Sequence, residues 1–215
     1  MSLRAANVAA RRQRVLEAAL DLIAQDGLDG LSMRKLADAV SLSVRTLYNQ
    51  FGSRTEILRH LMDALVAEVE QALEDATPEE DPLGHCRDVM TTSIAVFERD
   101  VARSRAALAI GFHGGPELAP EQVRVPERGA ALVRDALQAA IDQGLLRDVL
   151  PADALAAHVY ENYEMACSRW VDGRTSLSAF RTRALFGLEL VLLAVASDDL
   201  RPELEARLDA LTEAL

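Results

Sequence analysis

Arg45, Tyr48 and Asn49 stand at i, i+3 and i+4 in the stretch SLSVRTLYNQF, residues 41–51, so on a helix they share one face. Their side chains are those of a reader of polar edges. The Arg45 guanidinium can fork onto the paired acceptors of a guanine, Asn49 or Gln50 can bond adenine or a phosphate, and the hydroxyls of Thr46 and Tyr48 suit phosphate oxygens. Val44, Leu47 and Phe51 recur at i, i+3 and i+7 and form a packing side. Residues 39–55 hold no Asp or Glu, although at 34 acids in 215 residues these 17 positions would average 17 × 34/215, about 2.7. The outward face is therefore suited to something negative.

A helix this short must be positioned by its neighbours. The spacing predicts a first helix over about 8–26, with Leu16, Ala19, Leu20 and Ile23 as its stripe, Gly27 as its stop, and Arg11, Arg12 and Arg14 near its beginning. Ser32 is placed to cap a second helix, MRKLADAV, and Ser43 to cap the third. Ser53 with Glu56 forms a capping box that opens a fourth helix over 53–76, whose stripe is Leu58, Leu61, Met62, Leu65 and Val69. Two short helices joined by a tight turn and braced by longer ones describe a helix-turn-helix unit. The free N–H groups at the three serine-capped starts are anion sites that need no positive side chain.

The rest of the chain also has helical periodicity, and its apolar half is built from Ala and Leu more than from β-branched or aromatic residues, which predicts an all-α protein. Helices are expected near 84–103, 104–112, 121–144, 152–172, 176–197 and 202–214, with a break between modules at TPEEDP, residues 77–82. Residues 1–60 carry nine Arg or Lys against six acids, a net of +3, which leaves −14 of the total −11 for the remainder. A basic head and an acidic body meet different partners. The strongest apolar run, residues 184–196, is too short to span a membrane and contains Glu189, and no signal-type segment opens the chain, so a cytoplasmic protein is expected.

The segment GLSMRKLADAVSLSVRTLYNQFGSRTEIL resembles the DNA-binding domain of the TetR family of bacterial transcriptional regulators, over roughly residues 12–62. Ser41 stands where the family pattern usually has Gly, which predicts a strained or differently shaped turn. The resemblance implies an all-α chain with an N-terminal three-helix helix-turn-helix DNA-binding domain, residues 1–55, and a C-terminal helical ligand-binding and dimerisation domain, residues 56–215. It also implies DNA contacts from Arg34, Val44, Arg45, Thr46, Tyr48, Asn49 and Gln50, with Arg54 as a phosphate contact. The family's common mode is repression of a palindromic double-stranded operator, relieved by a small-molecule effector.

For that effector, Tyr160, Tyr163 and Cys167 share a face of the 152–172 helix, and Met90, Phe97 and His113 can approach from earlier helices, giving a mostly apolar cavity with a few polar anchors. Ordinary core aromatics with satisfied hydroxyls are an equal reading. The 176–197 helix becomes apolar nearly all round, so it is expected to pair with 152–172 and their symmetry mates in a homodimer, where a charge at Leu192 or Val195 would give monomers or insoluble protein. Trp170 and Gly173 in SRWVDG resemble a frequent family ending.

An enzyme reading finds no constellation. The histidines at 60, 85, 113 and 158 never stand in a Glu-x-x-His arrangement, His158 with Glu161 reads as a surface pair, and Cys86 and Cys167 have no metal spacing. There is no Gly-rich phosphate loop and no nucleophile elbow, so no catalytic residue, metal or cofactor is expected. The competing reading is a helical ligand-binding or protein-interaction module without DNA binding, against which the acid-free face of residues 39–55 weighs.

Overall fold

The protein, seen in a computed structural model that describes residues 3–73 and 79–215, consists of ten α-helices and two 3-10 turns among those residues. The helices are α1 (Leu3–Asp26), α2 (Met33–Ala39), α3 (Val44–Phe51), α4 (Arg54–Ala72), α5 (Pro82–Arg99), α6 (Val101–His113), α7 (Ala119–Asp142), α8 (Ala152–Val171), α9 (Leu177–Val195) and α10 (Arg201–Thr212). The turns are Leu28–Gly30 and Pro116–Leu118. Part of the expected break at 77–82 and the expected end of the fourth helix lie outside the described residues. No helix of the described residues is long and apolar enough to cross a membrane.

Packing divides the chain into two compact units, residues 1–67 with 100–122 and residues 68–99 with 123–215. In the first, α1 packs on the Leu28–Gly30 turn, α2 and α6, and α2 packs on α3. Val15, Ala19 and Ile23 carry the buried face of α1, whereas Leu16 and Leu20, expected on the stripe, are half-buried at its edge. In α4, Ile57 joins Leu58, Leu61, Met62 and Val69 in the interior, and Leu65 is half-buried. The break expected at 103/104 falls earlier, because Asp100 caps α6 with its Oδ1 accepting from Arg103 N at 3.1 Å.

In the second unit, α9 lies against α5, α8 and α10 and supplies Leu188, Leu192 and Val195 to one apolar core with Leu83, Val89, Leu137, Leu155 and Val159. Close approach is built into this packing. A Cβ at Gly129 of α7 would stand 1.9 Å from the Tyr160 ring, which would have to move, and one at Gly187 of α9 would stand 3.1 Å from the Asn162 Cβ of α8, a tight approach that a few tenths of an ångström would relieve. Gly173, at φ 72°, ends α8 as its sequence context suggested.

Glu189, the acid inside the apolar run, is buried and takes a two-point bond from Arg87 of α5, Nε to Oε1 at 2.6 Å and Nη2 to Oε2 at 3.1 Å. Burial lowers the Arg87 pKa, but the hydrogen bonds and charge of Glu189 outweigh it and raise it. Burial also pushes the adjacent Cys86 thiol up to about 12, so it stays protonated. Removing one partner of such a pair strands the other's charge. Glu189→Gln is expected to cost roughly 3–5 kcal/mol in chemical denaturation, whereas Arg87→Met with Glu189→Leu should return close to the parent.

Candidate nucleic-acid interface

The caps predicted for the reading helices are present. Ser32 Oγ accepts from Lys35 N at 3.2 Å, Ser43 Oγ from Thr46 N at 3.0 Å, and Ser53 Oγ from Glu56 N at 3.1 Å. Only half of the capping box forms, because the Glu56 carboxylate turns to Arg59, at 2.5 Å, and the Ser53 N–H bonds Phe51 O instead. Thr46 also serves its own cap, its Oγ1 lying 2.7 Å from Ser43 Oγ. Its hydroxyl is thus shared between the helix start and any outer ligand.

The turn between α2 and α3 closes through Leu42 N to Ala37 O at 2.9 Å and Ser41 N to Asp38 O at 3.3 Å, the bond pattern that ends a helix on a left-handed residue. That residue is Ser41, with φ 54°, where a glycine would sit without Cβ strain. The expectation from the sequence is borne out in the backbone.

α3 buries Leu47 and Phe51, while Val44 is 38% exposed and Tyr48 50% exposed. Arg34, Arg45 and Asn49 are also exposed, and Gln50 is half-buried. Among the described residues, no side-chain hydrogen bond or ion pair engages Arg34, Arg45, Tyr48 or Asn49. Their polar groups are left for an outside partner. Behind the helix, the Arg12 guanidinium lies 5.0 Å from the Phe51 ring centre and 2.5 Å from His60 Nε2, and the His60 ring meets Phe51 edge-on at 6.3 Å. Burial and then Arg12 lower the His60 pKa from its ordinary 6.5, against the raising effect of Glu56 and Asp63, which suits a neutral acceptor facing an arginine.

Arg54 has an internal bond set that its sequence position did not announce. Its Nε donates to Leu31 O at 2.9 Å and its Nη2 to Leu28 O at 2.7 Å, tying the start of α4 to the Leu28–Gly30 turn. Arg12 and His60 were likewise unmarked in the sequence as a pair.

Five of the six residues expected around an effector, Met90, Phe97, Tyr160, Tyr163 and Cys167, belong to the second unit, and His113 to the first. Tyr163 Oη donates to Ser93 Oγ at 2.9 Å, and Ser93 Oγ donates to Met90 O at 2.9 Å. The rings run in contact from Tyr160 to Tyr163, Phe180, Trp170 and Phe97, with centres 5.3–6.0 Å apart. Burial raises the Tyr160, Tyr163 and Cys167 pKa values, keeping all three neutral. The cluster is apolar with one tyrosine hydroxyl anchor, and Phe180, Trp170 and Ser93 are its members that the sequence reading did not assign to it. His158 and Glu161 form an exposed pair at 3.4 Å, as expected.

A capped, half-exposed recognition helix set behind a tight turn defines a helix-turn-helix DNA-binding protein. Residues 15–61 match the family model of bacterial regulatory proteins, tetR family. The chain is 25% identical over 184 residues to the HTH-type transcriptional repressor KstR of Rhodococcus jostii (strain RHA1), covering 85% of this chain and 82% of the relative. Over 54 residues, 25% of each chain, it is 41% identical to the tetracycline repressor protein class A from transposon 1721 of Escherichia coli. The crystal structure of the TetR family transcriptional regulator PfmR from Thermus thermophilus aligns over 83% of this chain and 97% of that one, at 27% identity and a TM-score of 0.58. The family model over residues 15–61, the two repressors and the solved regulator together liken the chain to the TetR family of bacterial transcriptional regulators.

The left-handed Ser41 gives a direct test of the turn. Ser41→Gly is expected to raise stability by about 1 kcal/mol, read as a higher melting temperature, and a lowered one would contradict the turn geometry.

Proposed function

We propose that the protein is a cytoplasmic repressor that grips a palindromic duplex operator as a two-fold homodimer and lets go when a small, largely apolar molecule binds its C-terminal part. Residues 1–55 read the DNA, and residues 56–215 sense the effector and dimerise. The observation that carries the reading is the outward face of α3, acid-free and with Arg45, Tyr48 and Asn49 unengaged by the chain itself. On it Arg45 reads a base edge, Asn49 and Gln50 take a base or a phosphate, Val44 makes apolar contact, and Tyr48, Thr46 and Arg34 fix register on the backbone.

Arg54 has a double role in this reading, since the two carbonyls it holds leave the rest of its guanidinium for a phosphate. The aromatic cluster around Tyr163 is the place for the effector, which would open the stack and use the Tyr163 hydroxyl as its polar anchor. The tetracycline repressor's name ties that relative to a drug, which supports a ligand-responsive mode here without naming the ligand.

We place the dimer surface away from Leu192 and Val195, the residues named for a charge test. Leu192 is fully buried and Val195 is 3% exposed within the protomer's own core, so a charge at either would break the fold. On α8 and α9 the large apolar side chains left uncovered are Met165, 65% exposed, and Leu190, 51% exposed, with Ala194 exposed and Phe186 half-buried on the same side of α9 as Leu190. We assign the two-fold contact to this face of α8 and α9.

Arg45→Ala is expected to cost roughly 1–3 kcal/mol of operator affinity and to relax preference at one base position per half-site, read by selection from random duplexes. Arg54→Lys keeps the charge but not the fork. It should preserve the salt slope of DNA binding while lowering stability by about 1.5–3 kcal/mol, and unchanged stability would show that the bonds to Leu28 and Leu31 do not brace the turn. Separately, Leu190→Glu should give a folded monomer by sedimentation with weakened DNA binding, and an unchanged dimer would move the interface off this face.

A further inference from the structure

A cleft of about 440 Å³ opens in the first unit, where α1, the α2–α3 turn and α6 meet. Its apolar wall is Val15, Ala18, Val40 and Leu42, and its charged lining includes Arg11, Arg14 and Arg103 against Glu17 and Asp21. These charges are not equally engaged. Arg103 is held by Asp21 at 2.9 Å and reaches Asp100 at 3.6 Å, and Glu17 accepts only a neutral donor, Gln13 at 3.2 Å. Arg11 and Arg14 are exposed and, among the described residues, pair with nothing.

Subtracting the satisfied Arg103–Asp21 pair leaves two cations and one anion, a local balance of +1, around a cleft of mixed lining in which Ala18, Val40 and Leu42 are half-buried apolar side chains. That balance matches a ligand with one negative charge. Phosphate contact with DNA would need only exposed arginines, whereas a concavity that sets apolar side chains beside them suits a ligand that joins an anionic group to an apolar body. The volume lies within the range of small-molecule sites.

We propose that this cleft binds a small organic monoanion, a carboxylate on an apolar body, with Arg11 and Arg14 forking onto the carboxylate and Ala18, Val40 and Leu42 covering the body. The cleft is also lined by Ser41, the left-handed residue of the turn that sets α3 against α2, so occupancy bears on the angle at which α3 is presented. That consequence rests on the DNA-reading function proposed above. The binding itself does not.

The test uses the full chain, a fluoronaphthoate as probe and its uncharged amide as control, followed by fluorine NMR. Saturable binding of the carboxylate is expected, with the amide at least about tenfold weaker, the fold-change that one lost charge-assisted contact gives. Arg11→Gln with Arg14→Gln should weaken the carboxylate at least as much, and since both side chains are exposed and unpaired the variant should keep its fold. Ala18→Leu fills the wall and leaves the arginines, so it should abolish binding. Equal binding of amide and carboxylate, or parent-like binding by Ala18→Leu, would overturn the site. Operator affinity is then measured with saturating probe. It should change in the parent and not in Ala18→Leu, and an unchanged parent would overturn the link to the turn. A parent that binds no duplex at all would instead defeat the DNA-reading function while leaving the probe result to stand.

Discussion

An eight-residue helix is too short to hold itself in water, and α3 must nevertheless keep one side empty for a partner. Every constraint on it therefore comes from behind or from its ends. Ser43 closes the start, Leu47 and Phe51 anchor the inner face, and Arg12 and His60 clasp the Phe51 ring where the helix stops. Arg54 then fixes the next helix to the turn that precedes α2. The cationic side chains divide accordingly: Arg12 and Arg54 are engaged in internal bonds, and Arg34 and Arg45 are left outward. Charge alone would not separate these two groups, because all four are arginines within one short basic region.

This explains which part of the site was legible in the sequence. Caps are local, since a serine and the N–H three residues on decide them, and Ser32, Ser43 and Ser53 all act as read. The left-handed Ser41 was legible by departure from a family pattern. The brace of Arg54 on Leu28 and Leu31 and the clasp of Arg12 on His60 were not, since their partners lie 23 to 48 residues away and nothing in a helical period points across such gaps. Small errors of face had the same origin. On α1, the choice between Val15 and Leu16 depends on which side α6 covers, a tertiary fact.

The second unit repeats the lesson over a longer range. Glu189 was visible as an acid in an apolar run, but its partner Arg87 stands 102 residues earlier, so the sequence showed a buried charge without its compensation. Nor does an apolar run distinguish a core face from a contact face. Leu190 and Leu192 are two residues apart and chemically identical, yet one is half-exposed and the other fully buried, because α5, α8 and α10 cover only part of α9. Gly129 and Gly187 are explained only by the side chains of Tyr160 and Asn162 that lie on them. Helical class and approximate helix limits were readable throughout; the pairing of faces was not.

The proposed control of DNA binding from the acidic part requires an element that belongs to both units, and α4 is one: its residues up to 67 fall in the first unit and its remaining turn in the second. An effector shifts the balance only by as much as it prefers one arrangement over the other, typically 1–3 kcal/mol, and DNA must then weaken effector binding by the same factor. The start of α4, where so modest a preference would have to act, is held at several points. Ser53 caps it, Arg54 bonds the preceding turn, Glu56 and Arg59 pair on its first turns, and His60 meets the arginine that covers Phe51. In the proposed mode of control, a movement imposed on α4 from its far end would meet this braced start. It would bear on the Leu28–Gly30 turn and on the end of α3, the two places that Arg54 and His60 reach, and through them on the face that presents Arg45 and Tyr48.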